Sequence, residues 1–204
     1  MAIAMALLAG CHGPPQTPQP AGQSTTKEPS DMRTVIPLVR RLELTNTGPI
    51  ELEFDVPALP EDDAPPVFVG VRVSGSDPTA AGDGADRLRA AGVSARVHIF
   101  RLDASGATPV TLMRSQMVSP IASESVALSP DGLAPALRDF DADFTTMQEA
   151  GLISEGSSYR NLGFAYTPEL QAGRYRLVLD FVRHREALVE AKAELVVAYT
   201  AKGK

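Results

Sequence analysis

Apolar and polar residues alternate most cleanly over residues 50–56, where Ile50, Leu52, Phe54 and Val56 are separated by Glu51, Glu53 and Asp55. A period of two places the four apolar side chains on the core face of a strand and the three carboxylates in water. The same period runs through 67–73, with Val67, Val69, Val71 and Val73 on one face. It returns at 93–102, with Val93, Ala95, Val97 and Ile99 inward and Ser94, Arg96 and His98 outward. Later it puts Tyr175, Leu177, Leu179 and Phe181 on one inward face. Further strands are expected within 34–45, 109–118, 159–166 and 193–199. Pro37 confines the first of these to an edge or a bend. Asn46-Thr47-Gly48-Pro49 and Asp103-Ala104-Ser105-Gly106 read as turns. Short strands punctuated by such turns predict a mainly β chain folded as a sandwich.

Two stretches break the rhythm. Residues 74–92 are rich in Gly and Ala, and 85–91 can form a short helix. Gly82-Asp83-Gly84 lacks the Lys-Ser/Thr ending and the strand-to-helix setting of a phosphate loop. In 129–151, Leu133, Leu137, Phe140, Phe144 and Met147 recur at helical spacing, with Pro135 suited to a first turn and Gly151 to a C-cap. One amphipathic helix, inserted in the sandwich and packed on it, is the expectation. Asp139, Asp141, Asp143 and Glu149 lie off that stripe, in water; the first three are the candidate partner-binding residues. Asp-x-Asp-x-Asp resembles the start of a calcium loop, but the sixth position is Phe144 where Gly is needed and the twelfth is Ala150 where Glu is needed. No metal site is expected.

Composition narrows the partners. A formal net charge of −6 and a pI near 5.1 argue against nucleic acid and against a basic membrane-surface face. Trp is absent and aromatics are 5%, which disfavours carbohydrate platforms. The acidic triplet Glu61-Asp62-Asp63 reads as a solvated run in a loop, since sequence neighbours do not converge on one cation.

Residues 1–9 contain only Met, Ala, Ile and Leu and end in Leu7-Leu8-Ala9, followed by Gly10 and Cys11, the one cysteine of the chain. Such a run is far below the roughly 20 residues that span a bilayer. It resembles the signal peptide and lipobox of bacterial lipoproteins. That resemblance implies removal of residues 1–10, a diacylglycerol on the Cys11 thiol, and a domain facing the periplasm. His12 then follows Cys11, in place of the Asp that resembles an inner-membrane retention signal, so the outer membrane is the expected site. Residues 11–33 carry Pro14, Pro15, Pro18, Pro20 and Pro29 among Gln, Ser, Thr and Gly, too few apolar groups to offset ordering. They read as an extended tether, with 34–204 as the folded domain. With its sole cysteine lipidated, that domain is held by packing without a disulfide.

Gly173-Arg174-Tyr175-Arg176-Leu177, after Leu170-Gln171-Ala172, resembles the corner of immunoglobulin-like domains. In that family the tyrosine hydroxyl bonds back to the corner's backbone. The resemblance implies an immunoglobulin-like sandwich, with Leu177 where antibody domains carry a bridging cysteine. No Gly-x-Ser-x-Gly elbow or tight His spacing is present, and His12, His98 and His184 lie far apart in sequence. The reading is therefore a non-enzyme without cofactor: a membrane-anchored module binding another protein. Its layout is similar to small proteobacterial lipoproteins encoded beside secreted effectors, which implies an immunity protein. A structural lipoprotein of an envelope or secretion assembly is the alternative.

Overall fold

The computed structural model describes residues 32–42, 48–59, 65–119 and 122–201. Residues 1–10, Cys11, all but the last two residues of the expected tether, Asn46 and Thr47 of the first expected turn, and the acidic triplet lie outside the described residues.

The cleanest alternation builds the middle of one sheet. In β11 (Gly173–Arg183), Tyr175, Leu177, Leu179 and Phe181 are buried while Arg174, Asp180 and their neighbours face outward. β11 pairs antiparallel with β2 (Ile50–Val56) on one side and β4 (Ser94–Asp103) on the other. β5 (Gly106–Pro109) and β8 (Leu133–Ala134) extend β4, giving five strands. The second sheet runs β1 (Leu38–Arg41), β12 (Glu194–Tyr199), β3 (Val67–Gly75), β10 (Ser158–Thr167), β6 (Met113–Ser119) and β7 (Ala122–Ala127). A seventh strand, β9 (Arg138–Phe140), pairs with β10. Pro37 immediately precedes the edge strand β1, where a missing amide costs no ladder bond.

The two sheets pack as a β-sandwich around Phe54, Val69, Val71, Leu162, Phe164 and Leu177, with Leu195 and Val197 added from β12. The inner order β3–β10–β6 facing β11–β4–β5 is that of the B–E–D and F–C–C′ strands of immunoglobulin domains. The outer strands are exchanged: β2 lies beside β11 and the last strand β12 beside β3. The tyrosine corner is present. Tyr175 Oη donates to the Gln171 carbonyl at 2.7 Å, its ring stacks on Phe54 at 5.6 Å, and burial pushes its phenol up. Tyr175→Phe is expected to cost ~0.5–1.5 kcal/mol plus any penalty left on the unpaired carbonyl, read by urea denaturation; an unchanged midpoint would show that the corner bond does not stabilise the fold.

Three expectations are corrected. The helix expected at 85–91 is longer: α1 (Pro78–Ala91) starts at Asp77, whose Oδ1 accepts from Ala80 N at 2.9 Å, and ends at Gly92 in the left-handed region. Gly82 and Gly84 hid its first half. Gly84 is required by packing, since a Cβ there would lie 2.7 Å from Val73 Cγ1. The strand expected at 109–118 starts later, as β6, and follows a short strand of the other sheet, β5. β5 ends at Pro109, Leu112 is buried in the core as the chain crosses, and β6 begins at Met113.

The amphipathic helix expected over 129–151 does not form as a unit. The segment holds β8, β9 and only one short helix, α2 (Phe144–Glu149). Gly132 takes a left-handed φ of 71°, and Pro135 biases Ala134 away from helical backbone. Asp143 then starts α2 as its N-cap, where a short acid competes best for backbone amides. The supposed stripe disperses: Leu137 enters the main core, Met147 a second one, and Phe144 is exposed. A third helix, α3 (Arg185–Glu190), fills the polar connection before β12.

Candidate functional site

Alternation along β3 predicts one buried face, yet all of Val67 to Val73 are buried. The cause is a second layer. α2 and the chain after it cover the outer face of the larger sheet, burying Met147 and Leu152 against Val39, Phe68, Val196 and Ala198. Phe140 stacks on Phe68 at 5.2 Å and meets Tyr166 at 5.6 Å. α2 is fastened at both ends. Asp143 N donates to Tyr199 O at 2.9 Å, and Thr146 N donates to Asp143 Oδ1 at 2.8 Å. At the other end Gly151, with φ of 68°, lets Leu152 N reach back to Met147 O at 2.9 Å.

Beyond this small core lies a polar row. Strand register aligns Arg41, Glu194, Arg72 and Asn161 across β1, β12, β3 and β10. Arg72 is only 6% exposed. Its Nε donates to Glu194 Oε2 at 2.8 Å, its Nη1 to Leu152 O at 2.7 Å, and its guanidinium lies 4.4 Å from the Tyr159 ring centre. Tyr159 Oη accepts from Ser154 N at 3.3 Å. Burial pushes the Tyr159 phenol up, but the Ser154 hydrogen bonds and the Arg72 charge outweigh it and leave the group below its ordinary value. Arg72 thus ties the segment after α2 to the sheet.

Two recesses flank this tie. The first, about 450 Å³, is bounded by Asp141, Phe144, Met147, Ile153, Tyr159 and Asn161. Phe144 stands at its lip, 61% exposed on a helix fixed at both ends. The second, about 580 Å³, is bounded by Arg41, Arg72, Lys192 and Glu194 with Ser154 and Ser157. Ser157 and Tyr159 border both.

The three acids expected to form one solvated face do not. Asp139, on β9, forms an ion pair with Arg89 of α1. Asp143 caps α2, a role worth ~0.5–2 kcal/mol, so its charge cannot be reversed without a stability cost. Asp141 alone of the three borders the Phe144 recess. His98 is half-buried beside Phe100, and His184 Nδ1 lies 3.3 Å from Glu186 Oε1. Among the described residues, no group of three or more His, Cys, Asp or Glu is placed to hold a metal ion. Also among these residues, no helix is long and apolar enough to cross a membrane.

Sequence reasoning missed Arg72, Arg41, Lys192 and Phe144 as site residues. A signal for Arg72 exists: it is the one charged residue inside the run Val67 to Val73, and Glu194 opens the closing strand.

No family model matches the chain, and no curated protein matches it. A solved protein from Sulfurospirillum deleyianum is similar at 9% identity and a TM-score of 0.41, over 81% of this chain and 98% of that one.

Proposed function

We propose that the protein is a lipid-anchored, protein-binding module of a bacterial envelope, and that its partner docks on the face carrying α2. The observation behind this reading is Phe144. An aromatic side chain 61% exposed, on a helix held by Asp143 and Leu152, stands beside a concavity lined by Met147 and Ile153. Aromatics seated at shaped recesses commonly anchor protein interfaces, here with polar groups such as Asp141 and Asn161 around the apolar ones, and a fixed backbone lowers the ordering cost of binding. Attachment through Cys11 rests on Leu7-Leu8-Ala9-Gly10 before it and the proline-rich stretch after it. Within this class, neutralising a secreted effector is the favoured role; a part in an envelope assembly is the alternative.

The anchor is tested by feeding cells a clickable palmitate analogue: wild type takes up label and Cys11→Ser does not. Label retained by Cys11→Ser contradicts the lipoprotein reading. The role is tested by deleting the gene and challenging the strain with a competitor that delivers the suspected effector. Loss of survival, restored by wild type and not by Phe144→Asp, is the expected result; survival equal to wild type counts against immunity.

A further inference from the structure

We propose that the recess between Arg41, Arg72 and Lys192 binds an oxyanion, a carboxylate or a phosphate group, as a site separate from the Phe144 surface. Three cations and one carboxylate line it, in a chain whose formal net charge is −6. The local field is therefore opposite in sign to the protein as a whole. A walled recess concentrates such a field and the anions drawn to it.

The arrangement exceeds what a structural tie needs. Glu194 gives its Oε2 to Arg72, and this pair with the Leu152 carbonyl accounts for the buried guanidinium. It does not account for the other two cations. Among the described residues neither Arg41 nor Lys192 forms an ion pair, although both border the recess. Lys192 sits just after α3 with φ of 49°, a left-handed position where Gly or Asn is the ordinary residue. Its long cationic side chain is there despite the backbone.

The recess is also prepared for an anion's oxygens. Arg72 is held over Tyr159, 4.4 Å from the ring centre, so its orientation is set before any ligand arrives. Ser154 and Ser157 border the recess beside Tyr159, with their side chains hydrogen-bonded to its phenol. Register places Arg41 and Arg72 on either side of Glu194 across adjacent strands, about 10 Å apart at the backbone.

The test is an NMR titration of the full chain carrying Cys11→Ser, with inorganic phosphate in one arm and an acetylated hexaglutamate peptide in the other. The expected result is saturable shifts at the Ser154, Ser157 and Lys192 amides and the Arg72 Nε–H, with a Kd of about 1 mM or tighter in at least one arm. Saturation by phosphate alone assigns a free anion; tighter binding of the peptide assigns a carboxylate carried by a polypeptide. Arg41→Gln with Lys192→Gln, both outside the buried pair, is expected to weaken binding at least ~10-fold while the fold is kept. Phe144→Asp leaves the titration unchanged, which keeps this site distinct from the docking face. No saturable shift in either arm, or full affinity in the double variant, overturns the proposal.

Discussion

Arg72→Met is expected to destabilise the protein by about 3 kcal/mol, lowering Tm by roughly 10 °C in a chain of this size. The substitution keeps length and apolar bulk but removes the bonds to Glu194 and the Leu152 carbonyl and the contact with Tyr159. Breaking one side of a buried pair leaves the partner charge without compensation, and that desolvation penalty dominates the loss. Glu194 keeps 29% side-chain exposure, so water recovers part of the cost. This holds the expected value at the low end of the range for buried pairs. The loss is also expected to be local at first: amide exchange at residues 150–158 accelerates below the global transition. Thermal melts and exchange protection matching wild type would show that Arg72 does not fasten this segment.

Leu177→Ala is expected to cost ~2–5 kcal/mol, in the upper half of that range. Leu177 is fully buried at the centre of β11, opposite Leu52 on β2 and Ile99 on β4. A side chain fixed between two paired neighbours and the facing sheet leaves a cavity that the sandwich cannot close by shifting one strand. Urea denaturation checks it, with the midpoint falling and the slope unchanged. A loss below ~1 kcal/mol would mean that the two sheets are less tightly packed at this point than the structure has them.

These two residues also mark where the sequence was legible and where it was not. Leu177 belongs to a strand with one wet face, so its alternation is visible in the sequence, as is the Gly-x-Tyr whose hydroxyl bonds back to the Gln171 carbonyl. β2 is legible for the same reason, with bounds matching the alternating run at 50–56. Arg72 lies in a strand covered on both faces, where a two-residue period loses its meaning. The covering layer is itself the stretch that periodicity misread. Leu133, Leu137, Phe140, Phe144 and Met147 have helical spacing, yet Leu137 and Met147 serve two different cores. Spacing reports a shared face only when one element carries all the residues. Gly132 and the Ala134-Pro135 step deny the segment that continuity. The candidate site inherits the difficulty, because Arg41, Glu194 and Arg72 are brought together by pairing between the first, last and third strands.

The most direct measurement of the docking face is photo-crosslinking in living cells at position 144. A benzophenone amino acid replaces Phe144 in the full chain, and in a control replaces Val182, an apolar residue 38% exposed on the opposite sheet. A discrete adduct is predicted from position 144 and none from position 182. The captured protein, once identified and purified, should bind wild type and lose at least ~10-fold in affinity for Phe144→Asp. No adduct at 144, the same adduct from both positions, or full affinity in Phe144→Asp would contradict the assignment of this face as the docking surface.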